Sequence, residues 1–297
     1  MTASIRVETI TLGDELLLGI RENAHLTYFG RQLAHHGIEP AANLVIRDQA
    51  DDIRMFFTDS WKRSELVITT GGLGPTSDDI TRETIAEVLG EELVYDSEIE
   101  NAIRERFRLL ELPMPENNTR QCYRPVSAQI LANPYGTAPG IYLKKDGKIL
   151  VMLPGPAREM HPMFEQLVIP KLQEDGIFPE IDCYLQLRTA GIGESSLAEK
   201  VQPIVSNQQG LVVGYCAHAG MVDLRLSSLD SDILSDNDLQ RIGDECRKEL
   251  DEDFACFGER TLAEIIFREL RSLDKTLAVA ESCTGGLLSS HFTEIPG

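Results

Sequence analysis

The sequence predicts an α/β protein in which a mostly parallel sheet carries helices on both faces. A small α+β domain and the incomplete start of a third α/β domain follow. Strand-like and helix-like segments alternate over the first 170 residues, which favours right-handed crossovers and parallel pairing. The composition shifts around "EDGIFPEID" at 174–182, and a new unit begins after Gly258. We therefore expect domains at 1–175, 176–257 and 258–297.

The first domain is predicted from β-branched runs that alternate with helically spaced apolar residues. Gly37 and Gly90 follow two of these helices, at the position where a glycine commonly caps a helix C-terminus. The predicted strands are 5–12, 42–47 and 65–70 with a hairpin over 140–152, and the predicted helices are 25–37, 50–63, 80–89, 96–110 and 157–174.

The rest of the chain is predicted to hold shorter elements in a different order. The second domain reads as strands 183–189, 211–216 and 221–228 with helices 194–201 and 236–251. The third domain reads as helix 260–273 and strand 276–280, followed by "ESCTGGLLSSHFTEIPG". Because one strand, one turn and one helix cannot bury a core, we expect this third domain to be incomplete.

Charge and composition exclude several classes of partner. The 297 residues carry a formal net charge of −20, which disfavours contact of the whole surface with nucleic acid or anionic membranes. An anionic substrate would need helix dipoles, backbone amides or a metal ion. No leader-like segment and no apolar window long enough for a membrane helix occur, so a cytoplasmic protein is predicted. The six cysteines form no CxxC pair and are expected to be reduced thiols.

The run "TTGGLGPTSDDITRETIAEVLG" at 69–90 joins a predicted strand to a predicted helix. A glycine-rich turn that leads into a helix N-terminus is a common phosphate site, since bare backbone can approach the ligand. We predict that this turn binds substrate through Gly71, Gly72, Gly74, Thr76 and Ser77.

Asp78 and Asp79 leave two interpretations open. They could stabilise the helix N-terminus through the helix dipole, which is worth roughly 0.3–1 kcal/mol each. Beside a phosphate, however, two carboxylates repel the ligand unless a divalent cation lies between them. The second interpretation makes Asp78 and Asp79 metal ligands.

Acidic and polar residues also follow the first two predicted strands. Asp14 and Glu15 come after strand 5–12 with Asn23 near the next helix, and Asp48 comes after strand 42–47. Each residue alone is equally well explained as a turn or cap residue. Together they place acidic side chains at one edge of the predicted sheet. The runs "NPYGTAPG" (133–140) and "LPGPAREM" (153–160) are rigid loops whose shape explains them without catalysis.

Four of these runs together resemble the CinA family (competence/damage-inducible protein A). They are "GDELLLG", "TTGGLGPTSDDITR", "NPYGTAPG" and "LPGPAREM", in family order over most of residues 1–170. The same region is similar, more distantly, to the molybdopterin-binding MoaB/MogA domain. The resemblance implies a MoaB-like fold and a metal-dependent ADP-ribose pyrophosphatase that uses a divalent ion such as Mg²⁺, Mn²⁺ or Co²⁺. One departure is Ala157, where the family usually has proline.

The resemblance assigns roles to individual residues of this sequence. The catalytic residues expected are Asp48, Asp79 and Glu15, with Glu15 and Asp48 as alternative general bases, and Asp78 and Asp79 are the expected metal ligands. Asn23 and Gly155 join the glycine-rich turn as substrate-binding residues. The expected reaction converts ADP-ribose into AMP and ribose 5-phosphate. A small nucleotide is thus the expected ligand, and the resemblance also fits a homodimer.

The remaining domains carry two further expectations from the same resemblance. Residues 180–255 are similar to a KH-like module, yet "TAGIGESS" lacks the GxxG loop and the unit is acidic, so a spacer or dimerisation role is expected instead of RNA binding. Residues 277–297 resemble the start of a nicotinamide mononucleotide deamidase, with Ser282 as nucleophile; the deamidase site is expected to be incomplete. Alternatives to ADP-ribose hydrolysis are therefore deamidation and a non-catalytic pterin- or nucleotide-binding module.

Overall fold

The computed structural model describes residues 5–178, 184–228 and 233–295. The chain forms two compact units, Met1–Glu180 and Ile181–Gly297. Within the described ranges, no helix is both long and apolar enough to cross a membrane.

The first unit is built on a six-stranded mixed sheet and a separate two-stranded one. Its strands are β1 (Val7–Leu12), β2 (Pro40–Ile46), β3 (Leu66–Thr70), β4 (Leu93–Tyr95), β5 (Tyr123–Pro125), β6 (Gln129–Leu131), β7 (Gly140–Lys145) and β8 (Lys148–Leu153). The large sheet has the order β2-β1-β3-β8-β7-β6. Strands β2, β1, β3 and β8 are parallel, whereas β7 and β6 pair in antiparallel fashion. The predicted mostly parallel sheet is confirmed.

Helices pack on both faces of this sheet, as predicted. They are α1 (Asp14–Leu17), α2 (Ala24–His35), α3 (Ala50–Arg63), α4 (Thr81–Leu89), α5 (Ser97–Leu109), α6 (Ala157–Met163) and α7 (Ile169–Glu174), with a 3₁₀ helix at Glu116–Cys122. One core cluster joins Phe29 of α2 to Phe164, and a second cluster joins Phe57 of α3 to Ile85 of α4. Two separate cores explain why the strand sequences between them are nearly all apolar.

Strand β1 runs through the middle of the unit, and all six of its residues are buried. Its one charged residue, Glu8, accepts hydrogen bonds from Arg63 Nε at 2.6 Å and Ser60 Oγ at 2.8 Å. Burial alone would raise the pKa of Glu8, but these donors outweigh it and hold the pKa at about 2. These two hydrogen bonds connect β1 to the last turn of α3.

The predicted helix 157–174 is present but not uniform. Helix α6 continues through a π-helical turn at Phe164–Val168 into α7. Pro170 lies at the start of α7, where it has no N–H to donate and its ring crowds the carbonyl one turn earlier. The wider π turn accommodates that break in the hydrogen-bond ladder.

The second unit is a four-stranded antiparallel sheet with helices. Its elements are β9 (Tyr184–Ala190), α8 (Glu194–Val205), β10 (Leu211–His218), β11 (Met221–Ser228), α9 (Asp236–Leu250), a 3₁₀ turn at Asp251–Asp253, β12 (Phe254–Phe257), α10 (Leu262–Ser272) and α11 (Leu287–Thr293). The strand order is β10-β11-β9-β12. This sheet fits the predicted small α+β domain, although the predicted start of β9 at Cys183 lies outside the described residues.

The predicted strand at 276–280 is wrong. These residues have no regular secondary structure, and all of them are exposed. A β-strand needs a neighbouring strand to satisfy its backbone groups, and no described strand pairs with this segment. Local β propensity was therefore not enough to form the element.

A buried ion pair anchors the chain where it leaves this sheet. Arg188 donates to both carboxylate oxygens of Asp223 at 2.8 Å. Its Nη1 also donates to the carbonyl oxygens of Glu259 at 2.8 Å and Arg260 at 2.6 Å. Arg188 and Asp223 are 7% and 1% exposed, so water competes little for these bonds.

Candidate functional site

The candidate site lies where the four parallel strands of the first unit end. Because β2, β1, β3 and β8 run in the same direction, the loops that follow them meet at one edge of the sheet. These loops carry the predicted residues of the first unit. Gly155, after β8, approaches the turn after β3 so closely that a Cβ on Gly155 would lie 3.8 Å from Gly71 Cα.

The glycines of the turn after β3 are required by the packing of the protein itself. Gly71 has φ +98°, and an added Cβ would lie 2.7 Å from Leu12 O. Gly72 has φ +66°, and its Cβ would lie 1.9 Å from Thr81 Oγ1. Within the described part of the chain, the amides of Leu73 and Gly74 donate to no protein acceptor, so they remain available to an anion.

The two aspartates of the turn have different surroundings. Asp79 Oδ2 accepts a hydrogen bond from Thr76 N at 2.9 Å and another from the Thr76 hydroxyl. That carboxylate packs against the turn, since a Cβ on Gly74 would lie 2.4 Å from it. Asp78 and Ser77 are exposed. Hydrogen bonding by the nearby Thr76 side chain lowers the pKa of Asp78.

Four carboxylates influence one another at this edge. The pKa of Asp48 is raised to about 6, mainly by burial and then by the negative charges of Asp14, Glu15 and Asp78. A hydrogen bond from the backbone of Asp14 opposes the shift without cancelling it. The structure therefore brings together the acidic residues that follow three different strands.

Two further predicted residues, Asn23 and Ser282, belong to two different predicted sites. Asn23 is the N-cap of α2, where its Oδ1 accepts from His25 N at 3.2 Å and Leu26 N at 3.3 Å. Its amide nitrogen donates to Asn43 at 3.3 Å, so Asn23 has a structural role in this fold. Ser282 belongs to the second unit. It is exposed, and its recorded contact is the thiol of Cys283 at 3.7 Å.

Sequence reasoning missed the 3₁₀ helix that braces the turn. Arg120 donates to the carbonyl oxygens of Thr76 and Asp79, the latter at 3.2 Å. Gln121 Nε2 donates to Leu73 O at 3.2 Å and is itself held by Asn118. Arg120 thus adds a positive charge beside the carboxylates. The Pro/Asn-rich character of 113–118 gave no signal for this role.

His25 is a second residue that sequence reasoning missed. Its Nδ1 lies 2.8 Å from Thr70 Oγ1, at the end of β3. Burial lowers the pKa of His25, although a backbone hydrogen bond with Gly155 and the charge of Glu15 act in the opposite direction. The signal available was its position at the start of α2, directly beyond the edge of the sheet where β1 ends.

The carboxylates at this edge of the sheet are candidate ligands for a divalent metal ion. The described residues contain no group of three His, Cys, Asp or Glu side chains placed to hold a metal ion. Mg²⁺, however, commonly takes one or two protein carboxylates and completes its shell with substrate phosphates and water. Asp78 and the Oδ1 atom of Asp79, which Thr76 leaves free, fit that donor set. The concentration of negative charge around Asp48 also favours a cation.

Comparison with known proteins identifies the class of each part of the chain. Residues 8–174 match the probable molybdopterin binding domain, residues 186–254 the damage-inducible protein CinA KH domain, and residues 259–297 the CinA C-terminal domain. The first unit is therefore a domain of the molybdopterin-binding class, as predicted, and a KH-like module follows it.

Relatives along the whole chain define the family more narrowly. A CinA-like protein from Kosmotoga olearia is 39% identical over 297 residues, covering 99% of this chain and 71% of the relative. A putative competence-damage inducible protein from Caldicellulosiruptor saccharolyticus is 38% identical and covers 98% and 70%. The crystal structure of the protein CinA with unknown function from Thermoplasma acidophilum is 29% identical, with a TM-score of 0.52, over 58% of this chain and 98% of that one. The chain belongs to the CinA family.

Proposed function

We propose that the first unit is a metal-dependent nucleotide pyrophosphatase that hydrolyses ADP-ribose to AMP and ribose 5-phosphate. One observation carries the proposal. Carboxylates from three strand ends converge beside a turn with unpaired backbone amides, and one of them has a pKa of about 6. Pyrophosphate hydrolysis needs these parts, namely donors for phosphate oxygens and a base whose pKa is closer to neutral pH than that of an ordinary carboxylate.

Each part has a defined task in this proposal. The amides of Leu73 and Gly74 hold phosphate oxygens, and Arg120 keeps the turn in place through its two carbonyl contacts. Asp48 accepts the proton of the attacking water, because its raised pKa makes it a better base than an ordinary aspartate. Glu15 is the alternative base. A divalent ion held by Asp78 and Asp79 would neutralise phosphate charge when bound.

The direct test is to incubate the chain with ADP-ribose and Mg²⁺, Mn²⁺ or Co²⁺ in turn, and to measure AMP and ribose 5-phosphate. We expect cleavage that depends on the ion. Replacing both turn aspartates (Asp78→Asn with Asp79→Asn) should reduce kcat/KM by about 100-fold or more, since the ion loses its protein ligands. Asp51→Asn is the control, because Asp51 is an aspartate at the start of a different helix, α3, and its side chain is 98% exposed.

Two results would contradict the proposal. Unchanged ion-dependent cleavage by the double variant would remove the aspartates from the mechanism. Tight binding of ADP-ribose without cleavage under any of the three ions would favour a non-catalytic nucleotide- or pterin-binding module.

A further inference from the structure

The first unit contains a cavity that the proposed chemistry does not use. Its volume is about 710 Å³, within the range of small-molecule sites. One wall is the inner face of α5, and the other is the loop 132–139 with the end of α6 and the π turn. Most of the lining is apolar, including Ile99, Ile103, Ile130, Met163 and Leu167.

The loop wall of the cavity is held in shape by side chains. Arg106 of α5 donates to the carbonyl oxygens of Pro134, at 2.7 Å, and Tyr135. Asn133 Oδ1 accepts from the backbone of Tyr135 at 3.0 Å and of Gly136 at 2.8 Å. Two bonds thus fix "NPYGTAPG" against α5 and two more hold the loop itself, so the cavity exists before a ligand arrives.

Both walls are connected to the glycine-rich turn through intermediate residues. On the loop side, Gly136 lies so close to Glu159 that a Cβ would be 1.8 Å from its carboxylate. Glu159 is one helical turn beyond Gly155, which abuts Gly71. On the α5 side, Ile99 and Ile103 pack with Cys122. The neighbouring Gln121 bonds to Leu73 O. Two series of contacts therefore connect the cavity to the turn, one through Glu159 and one through the 3₁₀ helix.

Charge indicates which end of a ligand enters the cavity. Glu98, Glu105 and Asp96 are at its lining, whereas its one lining arginine, Arg106, is engaged with loop carbonyls. Asp96 is paired with Arg124 and Glu105 with Arg108, so Glu98 is the lining carboxylate that repels a phosphate and can accept hydrogen bonds from amino and hydroxyl groups. The phosphate donors lie instead at the turn.

We propose that this cavity binds the uncharged nucleoside end of a ligand whose phosphates lie at the turn. The inference rests on the proposed function, and it extends that function by making the α5 cavity the site that selects a nucleoside. It also gives "NPYGTAPG" a role beyond loop shape, as one wall of that site.

The test fills the cavity from its exposed side. Ala102 is exposed and lines the cavity, so Ala102→Trp inserts a ring into it without entering the core. Asn101→Trp is the matched control, because Asn101 is its exposed neighbour on α5 and does not line the cavity. Calorimetry measures the Kd of adenosine and of inorganic pyrophosphate for both variants and the wild type.

We expect Ala102→Trp to weaken adenosine binding by about tenfold or more while pyrophosphate binding is kept, since only the cavity is blocked. Asn101→Trp should bind both probes like the wild type. Equal adenosine affinity in Ala102→Trp and the wild type, or no adenosine binding by the wild type, would overturn the inference. Absence of ADP-ribose cleavage by a wild type that binds adenosine in the cavity would contradict only the proposed hydrolysis.

Discussion

Asp48 lowers the stability of the folded chain at neutral pH, because its pKa is raised on folding. Its folded pKa of about 6 exceeds the reference value of 3.8, so the folded chain holds this proton more tightly than the unfolded chain does. The stability that Asp48 contributes therefore falls as the pH rises from about 4 to about 6, and it stays low at higher pH.

Replacing Asp48 by Asn should remove this cost. We expect Asp48→Asn to raise the free energy of unfolding at pH 7.5 by about 1 kcal/mol, after allowance for solvent screening, and the gain should fade towards pH 4. Urea denaturation in EDTA at both pH values measures it. Asp51→Asn serves as the exposed control. A variant that is less stable than the wild type at pH 7.5 would contradict the electrostatic explanation.

The residues of the site differ in how far the sequence could reveal them. Asp14, Glu15, Asp48 and Asp78 follow strands, so counting parallel strand ends placed them at one edge. Arg120 could not be placed this way, because it acts on carbonyl oxygens 41 and 44 residues away. Such a contact depends on how the 3₁₀ helix folds back, which no local pattern encodes.

At the scale of elements, two separate causes can require a glycine in the turn after β3, namely backbone strain and steric contact. Gly72 and Gly90 have the same φ of +66°, but only Gly72 has a close neighbour, Thr81 Oγ1. Gly90→Ala should cost about 1 kcal/mol, from the left-handed conformation alone. Gly72→Ala should cost about 3 kcal/mol or more, since the clash is added. Thermal unfolding of both variants measures the difference.

The difference between the two stability losses shows whether Gly72 is needed to avoid a clash with Thr81. Equal losses in the two variants would show that the turn relaxes around a methyl group. A partial recovery of Gly72→Ala stability on adding Thr81→Ala would support the clash, because that change removes the nearest atom.

Elements were predictable where local pattern and tertiary packing agree. The alternation of apolar runs and caps gave β1, β2, β3 and the helices between them to within a few residues. Strand β12 was missed because the acidic run before it masked a short apolar segment, Phe254–Phe257. The prediction of a strand at 276–280 was wrong for the opposite reason, because apolar residues are present there but no described strand pairs with them.

At the scale of the whole molecule, the composition predicts which class of partner the protein does not bind. A net charge of −20 repels the phosphates of nucleic acid, and the absence of nucleic-acid binding stays a prediction. The two cores of the first unit fix its α/β class, and that class was predictable because buried parallel strands need apolar residues on both faces.

We also expect the chain to form a homodimer. Leu17, Leu18 and Ile20 are 51%, 73% and 71% exposed within a short segment and form an apolar surface that a second copy could cover. Sedimentation equilibrium should give twice the chain mass of 33.0 kDa, and Leu18→Glu with Ile20→Glu should shift it to the monomer. Leu110→Glu with Leu112→Glu is the control on other exposed leucines. A monomeric wild type at micromolar concentration would refute this prediction.

The contacts of Arg188 also fix the position of the backbone that follows the antiparallel sheet. Because one buried guanidinium binds the carbonyl oxygens of Glu259 and Arg260, the backbone after β12 is held beside the antiparallel sheet as far as Arg260. Charge-assisted bonds to Asp223 hold that guanidinium in turn. The segment matched to the CinA C-terminal domain, residues 259–297, therefore starts from a position that the second unit itself fixes.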